Sequence, residues 1–181
     1  MMKNYLKLLL AWLILLPVSS YADEQAEIIF QIINERMSYM PDVAIYKANH
    51  GLPIEDLARE SIVLEKAVAT SEKYGLEQNS IKTLVKSLMS SAKVIQYRVR
   101  ADALSQKSQV SAPRELKTVV RPALIKLGDN LNNKLYQYLK SGRFFSDSQY
   151  DTFKKAVSNP YLEERDKKMI FDALTKVKLN S

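Results

Sequence analysis

The stretch NSIKTLVKSLMSSAKVIQYRV, residues 79–99, decides the fold class. Its apolar side chains Ile81, Leu84, Val85, Leu88, Ala92, Ile95 and Val99 recur at three- and four-residue steps, the spacing of one helix face. Gln78, Asn79 and Ser80 offer an N-cap, and the pattern runs on to about Leu104. Upstream, Gly75 is a natural stop for a helix that starts with Pro53 in its first turn and ends near Tyr74. Before that, Ile29, Ile32, Ile33, Met37, Met40 and Ala44 keep a helical spacing through residues 26–48, with a bend expected at Pro41 and a break over residues 49–53. Downstream, residues 105–111 read as a polar linker. Pro113 opens a short helical segment that Pro122 restarts, and Leu124, Leu127, Leu131, Leu135 and Leu139 form a stripe ending at Gly142. Ser146-Asp147 and Asn159-Pro160 open two shorter helices. No stretch carries a β pattern and no segment repeats. The expected fold is all-α, a single helical-bundle domain of about six helices.

Composition agrees. The 181 residues suffice for one domain and hardly for two. A hydrophobic fraction of 46% belongs to a globular chain, and four Gly with six Pro argue against a loop-rich β-sandwich. There is no Cys and one His. That excludes zinc sites built on cysteine, thiol nucleophiles, disulfides and any Ser-His-Asp triad that does not run through His50. No metal and no cofactor is expected. Lys+Arg number 27 against 20 Asp+Glu, a net charge of +7. The acids are interleaved among the bases, so a continuous basic face for nucleic acid is not expected.

The N-terminus reads as an export signal. Lys3 and Lys7 precede an apolar run from Leu8 to Leu16, followed by Pro17 and small residues at Ser20 and Ala22, the pattern of a segment cleaved after Ala22. The run is much shorter than the ~20 apolar residues that span a bilayer. The expected organisation is a signal over residues 1–22 and one helical domain over 23–181, periplasmic or secreted and free of the membrane after cleavage. Without cysteine, such a domain is held by packing alone, which its length allows.

Several charged residues fall into register. Arg36 and Lys47 are eleven positions apart, which on a helix leaves them only about 20° out of line. Asp56, Arg59, Glu60 and Val63 share a stripe at i, i+3, i+4 and i+7. Ala92 and Gln96 lie one turn apart at the edge of the apolar face, and Arg121 precedes the leucine stripe. Taken singly, each has an ordinary explanation. Helix cations are mostly solvated, an Asp-x-x-Arg-Glu stripe is usually a surface ladder, Val63 and Ala92 read as packing, and His50 reads as a loop residue.

Four blocks taken in order resemble one family. They are residues 33–48 (Ile33-Asn34-Glu35-Arg36, Ser38-Tyr39-Met40 and Asp42 to Ala48), 52–60 (Leu52 to Glu60), 91–98 (Ser91 to Arg98) and 120–124 (Val120 to Leu124). The chain is similar to the exported chorismate mutases, the gamma subclass of the helical AroQ-type, or type II, enzymes. The likeness covers residues of about 26–135, leaving residues 146–178 as C-terminal packing helices. It implies an isomerase that converts chorismate to prephenate, a set of cations that clamps a dianion without cofactor or metal, and a homodimer. Arg36, Lys47, Arg59 and Arg121 fall on the family's cationic positions, and Asp56 and Glu60 where carboxylates lie near the substrate hydroxyl. Gln96 falls where Gln or Glu faces the ether oxygen. Lys47, Gln96 and Arg59 are thus the implied catalytic residues, with Arg36, Asp56, Glu60, Val63, Ala92 and Arg121 completing the substrate site. Three positions depart from the pattern: Val63 and Ala92 replace polar residues of some members, and Leu88 replaces a common Gln. An alternative left open by the residues is a non-catalytic exported helical module that binds an anionic metabolite or an acidic partner.

Overall fold

The computed structural model describes the backbone of residues 18–105 and 112–180, with side chains from Glu24 onward in those spans. The expected export signal lies almost wholly outside the described residues, as does the linker over residues 106–111.

Among the described residues seven α-helices follow one another: α1 Val18–Ser38, α2 Met40–Asn49, α3 Leu57–Glu72, α4 Gln78–Leu104, α5 Arg121–Lys140, α6 Tyr150–Ala156 and α7 Glu164–Leu174. Counting α1 and α2 as one bent helix gives the six expected from the sequence. The bend falls where Pro41 predicts it. Tyr39 keeps a helical conformation, and Val43 N–H still donates to the Tyr39 carbonyl at 3.2 Å, so the direction changes without a loop. No strand occurs among the described residues; one isolated antiparallel bridge joins Leu76 to Leu179. No described helix is long and apolar enough to cross a membrane.

Helix starts differ from the sequence reading in four places. α3 begins at Leu57, not at Pro53, because the Asp56 carboxylate accepts the Arg59 backbone N–H at 2.9 Å and caps the helix there. α4 is capped by Glu77 rather than within residues 78–80; its two carboxylate oxygens take the Asn79 and Ser80 N–H groups, which hold its carboxyl below the usual range. Pro113 opens no helix. The chain turns only at Leu116, where Glu115 caps a widened turn over Leu116–Val120 that runs directly into α5. Asn159 and Pro160 likewise open no helix, since the Asn159 side chain donates to the Met37 carbonyl and accepts the Tyr161 N–H, tying that loop to α1. At the other end, Gly142 closes α5 as expected, with a left-handed φ of 80° that other side chains rarely adopt.

Packing follows the apolar stripes. α4 lies centrally, against α2 and α3 on one side and α7 on another, while α1 packs on α5 and α6. Ile81, Leu84, Leu88, Ile95 and Val99 of α4 are buried, as are Leu127, Leu131 and Leu135 of the leucine stripe. The far end is an aromatic nucleus: Phe30 of α1 meets Phe153 of α6 edge-on at 5.2 Å, and Phe153 meets Phe171 of α7 at the same separation. Arg98 of α4 clamps α7 by pairing with buried Asp166 at 2.8 Å and with Glu163 at 2.9 Å. α3 differs from the rest. Ser71 is its one buried residue, Leu57 and Ile62 are exposed, and it packs on α4 through the half-buried Val63, Leu64, Ala67 and Val68.

Candidate functional site

The site is built where the start of α5 and the last turns of α1 and α2 approach α3 and the second half of α4. Lys47 is its centre. Its ammonium donates to the Ile54 carbonyl at 2.6 Å, in the loop between α2 and α3. That loop is fixed by the Ile54 side chain, which is buried although both its neighbours are exposed. Burial pushes Lys47 below its ordinary value; Asp56 and Glu60 oppose that shift, and Arg121 and Arg100 add to it. Four charged groups from α3, α4 and α5, the Asp56 cap included, therefore act on one half-buried ammonium.

Arg36 reaches the same end of α5. Its guanidinium donates to the Leu124 carbonyl at 2.8 Å, three residues beyond Arg121, and enclosure between α1 and α5 lowers its value without removing a charge that arginine always keeps. Arg36 and Lys47, expected on one helix face, stand on two helices: Arg36 reaches the Leu124 carbonyl of α5, and Lys47 is close enough to feel the Arg121 charge. The widened turn over Leu116–Val120 delivers Arg121 to this position. Such turns are frequent at functional sites.

Gln96 closes the opposite wall. It is 5% exposed; its amide nitrogen donates to the Ala92 carbonyl at 3.1 Å and lies 3.9 Å from the Met40 sulfur. Its amide oxygen is enclosed with no partner. A buried orphan acceptor costs ~1–3 kcal/mol, and an amide can be turned end for end, so this position is poised to present either an oxygen or an N–H₂ group to a guest. Met40, Ala44 and Lys47 share one face of α2 at i, i+4 and i+7, so the residue that touches Gln96 and the residue that carries the ammonium stand on the same side of that helix.

The stripe on α3 behaves less uniformly than its spacing suggests. Glu60 pairs with Lys93 of α4 at 3.1 Å, both partly buried. Asp56 is exposed and holds the backbone of Arg59, not its guanidinium. Arg59 itself is exposed and is not drawn into the cluster. Val63 is half-buried two turns on from Asp56, Ala92 is half-buried against the core, and Leu88 lies in the core. Two residues that the sequence reading passed over belong here: Lys93 and Arg100. Their signal was available, since they stand at i−3 and i+4 from Gln96 and so share its face. A groove of about 480 Å³ between α4 and α7 lies away from this cluster, and its cations Arg165 and Lys168 are engaged by Glu163 and Asp172.

Comparison with known proteins gives consistent results. A family model described as chorismate mutase type II matches residues 22–97. A monofunctional chorismate mutase of Enterobacter agglomerans is 39% identical over 145 residues, covering 80% of this chain and 79% of that protein. A secreted chorismate mutase of Yersinia pestis is 38% identical over 148 residues, covering 82% of this chain and 79% of that protein. A crystal structure of a secreted chorismate mutase from Yersinia pestis superposes with a TM-score of 0.77 at 36% identity, over 84% of this chain and 97% of that one. A chorismate mutase structure from Burkholderia phymatum, at 21% identity, shares the fold with a TM-score of 0.70 over 86% of this chain and 96% of that one.

Proposed function

The chain belongs to the chorismate mutase type II family, and from that premise we propose that it is an isomerase rearranging chorismate to prephenate. The observation that carries the reading at the level of geometry is Lys47: a half-buried ammonium that is oriented by the neutral Ile54 carbonyl at 2.6 Å and so keeps its charge for an anionic guest.

The rearrangement breaks one C–O bond and forms one C–C bond within a single molecule. No proton moves and no covalent intermediate forms, so the chemistry asks for a pose and for charge stabilisation. Holding a flexible dianion with its reacting carbons together is an entropic task. Guanidinium groups suit it because they bind carboxylates in a fixed two-pronged geometry, and we assign that task to Arg36 and Arg121. Arg59, exposed in the ligand-free chain, is assigned the outer carboxylate, which it reaches by a side-chain swing from the start of α3. Asp56 and Glu60 border the position of the substrate hydroxyl, and Val63 and Ala92 line its apolar sides.

As the C–O bond breaks, negative charge grows on the ether oxygen. Lys47 has three N–H donors and spends one on Ile54, which leaves two for that oxygen and a carboxylate. The Gln96 amide donates from the other side once its N–H₂ end is turned inward. Each donor aimed at developing charge is typically worth ~10²–10³-fold in rate. The oxygen is a poor acceptor before reaction, so these bonds favour the transition state over bound substrate.

The export signal over residues 1–22, a periplasmic or secreted destination and a homodimer complete the proposal; relatedness to a secreted chorismate mutase supports export. The test is loss of chorismate absorbance with purified chain beginning at Asp23. Turnover that is abolished by Lys47→Ala at an unchanged melting temperature supports the reading. No loss above the uncatalysed rate overturns it, and stabilisation by chorismate without turnover would favour a binding module instead.

A further inference from the structure

We propose that Arg100 is a further substrate-binding residue, a cation at the mouth of the site that takes one carboxylate of the dianion; this rests on the reading just given. Three observations carry it. First, Lys93, Gln96 and Arg100 stand at i, i+3 and i+7 on α4, so Arg100 continues the face that carries Gln96. Second, its guanidinium reaches the loop that Lys47 also grips. Arg100 approaches the Leu52 carbonyl at 3.5 Å and Lys47 holds the Ile54 carbonyl, two residues further along. Third, Arg100 is close enough for its charge to act on the Lys47 ammonium.

The contrast with its neighbours on α4 is informative. Arg98 is neutralised by Asp166 and Glu163, and Lys93 by Glu60. Arg100 makes no ion pair among the described residues. Of its five donors, one spends itself on a long bond to a neutral carbonyl. A guanidinium kept only to hold a loop would gain more from a carboxylate partner. Charge balance points the same way. Arg36, Lys47, Arg100 and Arg121 face one uncommitted carboxylate, Asp56, because Glu60 is taken by Lys93. That leaves a positive surplus for an anionic guest.

The experiment compares wild type, Arg100→Gln and Arg100→Lys with chorismate as the probe, by steady-state kinetics over a range of ionic strength and by chorismate-induced thermal upshift. Losing one charge-assisted bond should raise KM about tenfold in Arg100→Gln while kcat stays within about twofold. The salt dependence of kcat/KM should become shallower, and the thermal upshift should shrink. Arg100→Lys should recover part of the loss. An unchanged KM and upshift in Arg100→Gln overturns the proposal while leaving the chorismate mutase reading intact. A fall in kcat at constant KM also overturns it, since Arg100 would then act through the position of Lys47. A wild type without turnover or upshift refutes the underlying reading itself.

Discussion

Replacing the Gln96 amide by a carboxyl tests the core of the mechanism, because the two groups are the same size and differ in when they can donate. In the native chain the amide is 5% exposed, with the Ala92 carbonyl and the Met40 sulfur as its neighbours. A Gln96→Glu carboxylate would meet that carbonyl as two acceptors in contact, so the charged form is penalised by burial and by repulsion. Full burial alone raises a carboxyl by up to ~3–5 units, and Lys93, Arg100 and Lys47 on the adjoining faces pull it back; a net rise of ~2 units, to about 6, is expected. The folded state then binds more protons than the unfolded chain between pH ~4 and ~6. Relative to wild type, the mutant keeps its stability below that window and loses ~2.7 kcal/mol as pH rises through it. Catalysis follows the same proton, since only the protonated carboxyl donates to the ether oxygen. Turnover of the mutant should fall roughly thirtyfold from pH 5 to pH 7.5, whereas the wild type stays flat. Chorismate consumption and thermal melts at both pH values read the two effects separately. Equal mutant turnover at the two pH values would refute the role given to Gln96, and a melt independent of pH would refute the burial argument.

Lys47 sits below its ordinary value of 10.5 in the ligand-free chain because burial outweighs Asp56 and Glu60. The alkaline fall of kcat/KM should therefore begin below pH 10.5, and that of kcat at higher pH because a bound dianion restores the charge; a kcat/KM limb at or above 10.5 contradicts the assignment. For the fold, Arg98→Ala leaves buried Asp166 with only the longer contact to exposed Arg165 at 3.7 Å and should cost ~3 kcal/mol in urea unfolding, with a loss under ~1 kcal/mol contradicting the clamp. Phe153→Ala empties the aromatic nucleus between Phe30 and Phe171 and should cost ~3–5 kcal/mol, with kcat/KM at low temperature little changed; a silent mutant would mean that the α6–α7 nucleus is not part of the cooperative unit.

The helices were legible because burial on one face writes a period into the chain, and α4 and α5 carry that period without interruption. Their starts were less legible. Pro53 and Asp56 are both good first-turn signals, and only the folded loop shows that Ile54 must be buried between them, which moves the start to the Asp56 cap. Asn159 read as a cap because its side chain seeks backbone groups; it does so across the fold, on Met37, and not within its own helix. The site was legible in a different way. Spacing alone placed Arg36 over Lys47 and Asp56 over Glu60, but no spacing within one helix brings Lys47 to Arg121 or Gln96 to Met40. Resemblance over four ordered blocks put Lys47 and Arg121 in one site, whereas the contact of Gln96 with Met40 is read only from the fold. Lys93 and Arg100 escaped because, in the chain, a helical cation beside Gln96 looks like any solvated Lys or Arg. Arg59 shows the converse: its motif is intact, while the ligand-free fold leaves its side chain in solvent.

The partners of the cations divide them into two kinds. Arg98, Lys93 and Arg114 each hold a carboxylate, and these neutral pairs fix α4 to α7, α4 to α3, and the segment before Leu116 to α2. Arg36, Lys47 and Arg100 hold backbone carbonyls instead, those of Leu124, Ile54 and Leu52. A carbonyl satisfies a donor and sets its direction without cancelling its charge. A carboxylate would cancel the charge and would have to be displaced by an anionic guest. The carbonyl-held set thus stays oriented and electropositive when empty, which is the condition under which electrostatic stabilisation costs little reorganisation at the moment of reaction. The repulsion this stores between Lys47, Arg100 and Arg121 is offset only in part by Asp56, and the remainder is released when a dianion enters. Among these six cations, partner chemistry, more than position along the helix, therefore separates those that hold the fold from those that await a ligand.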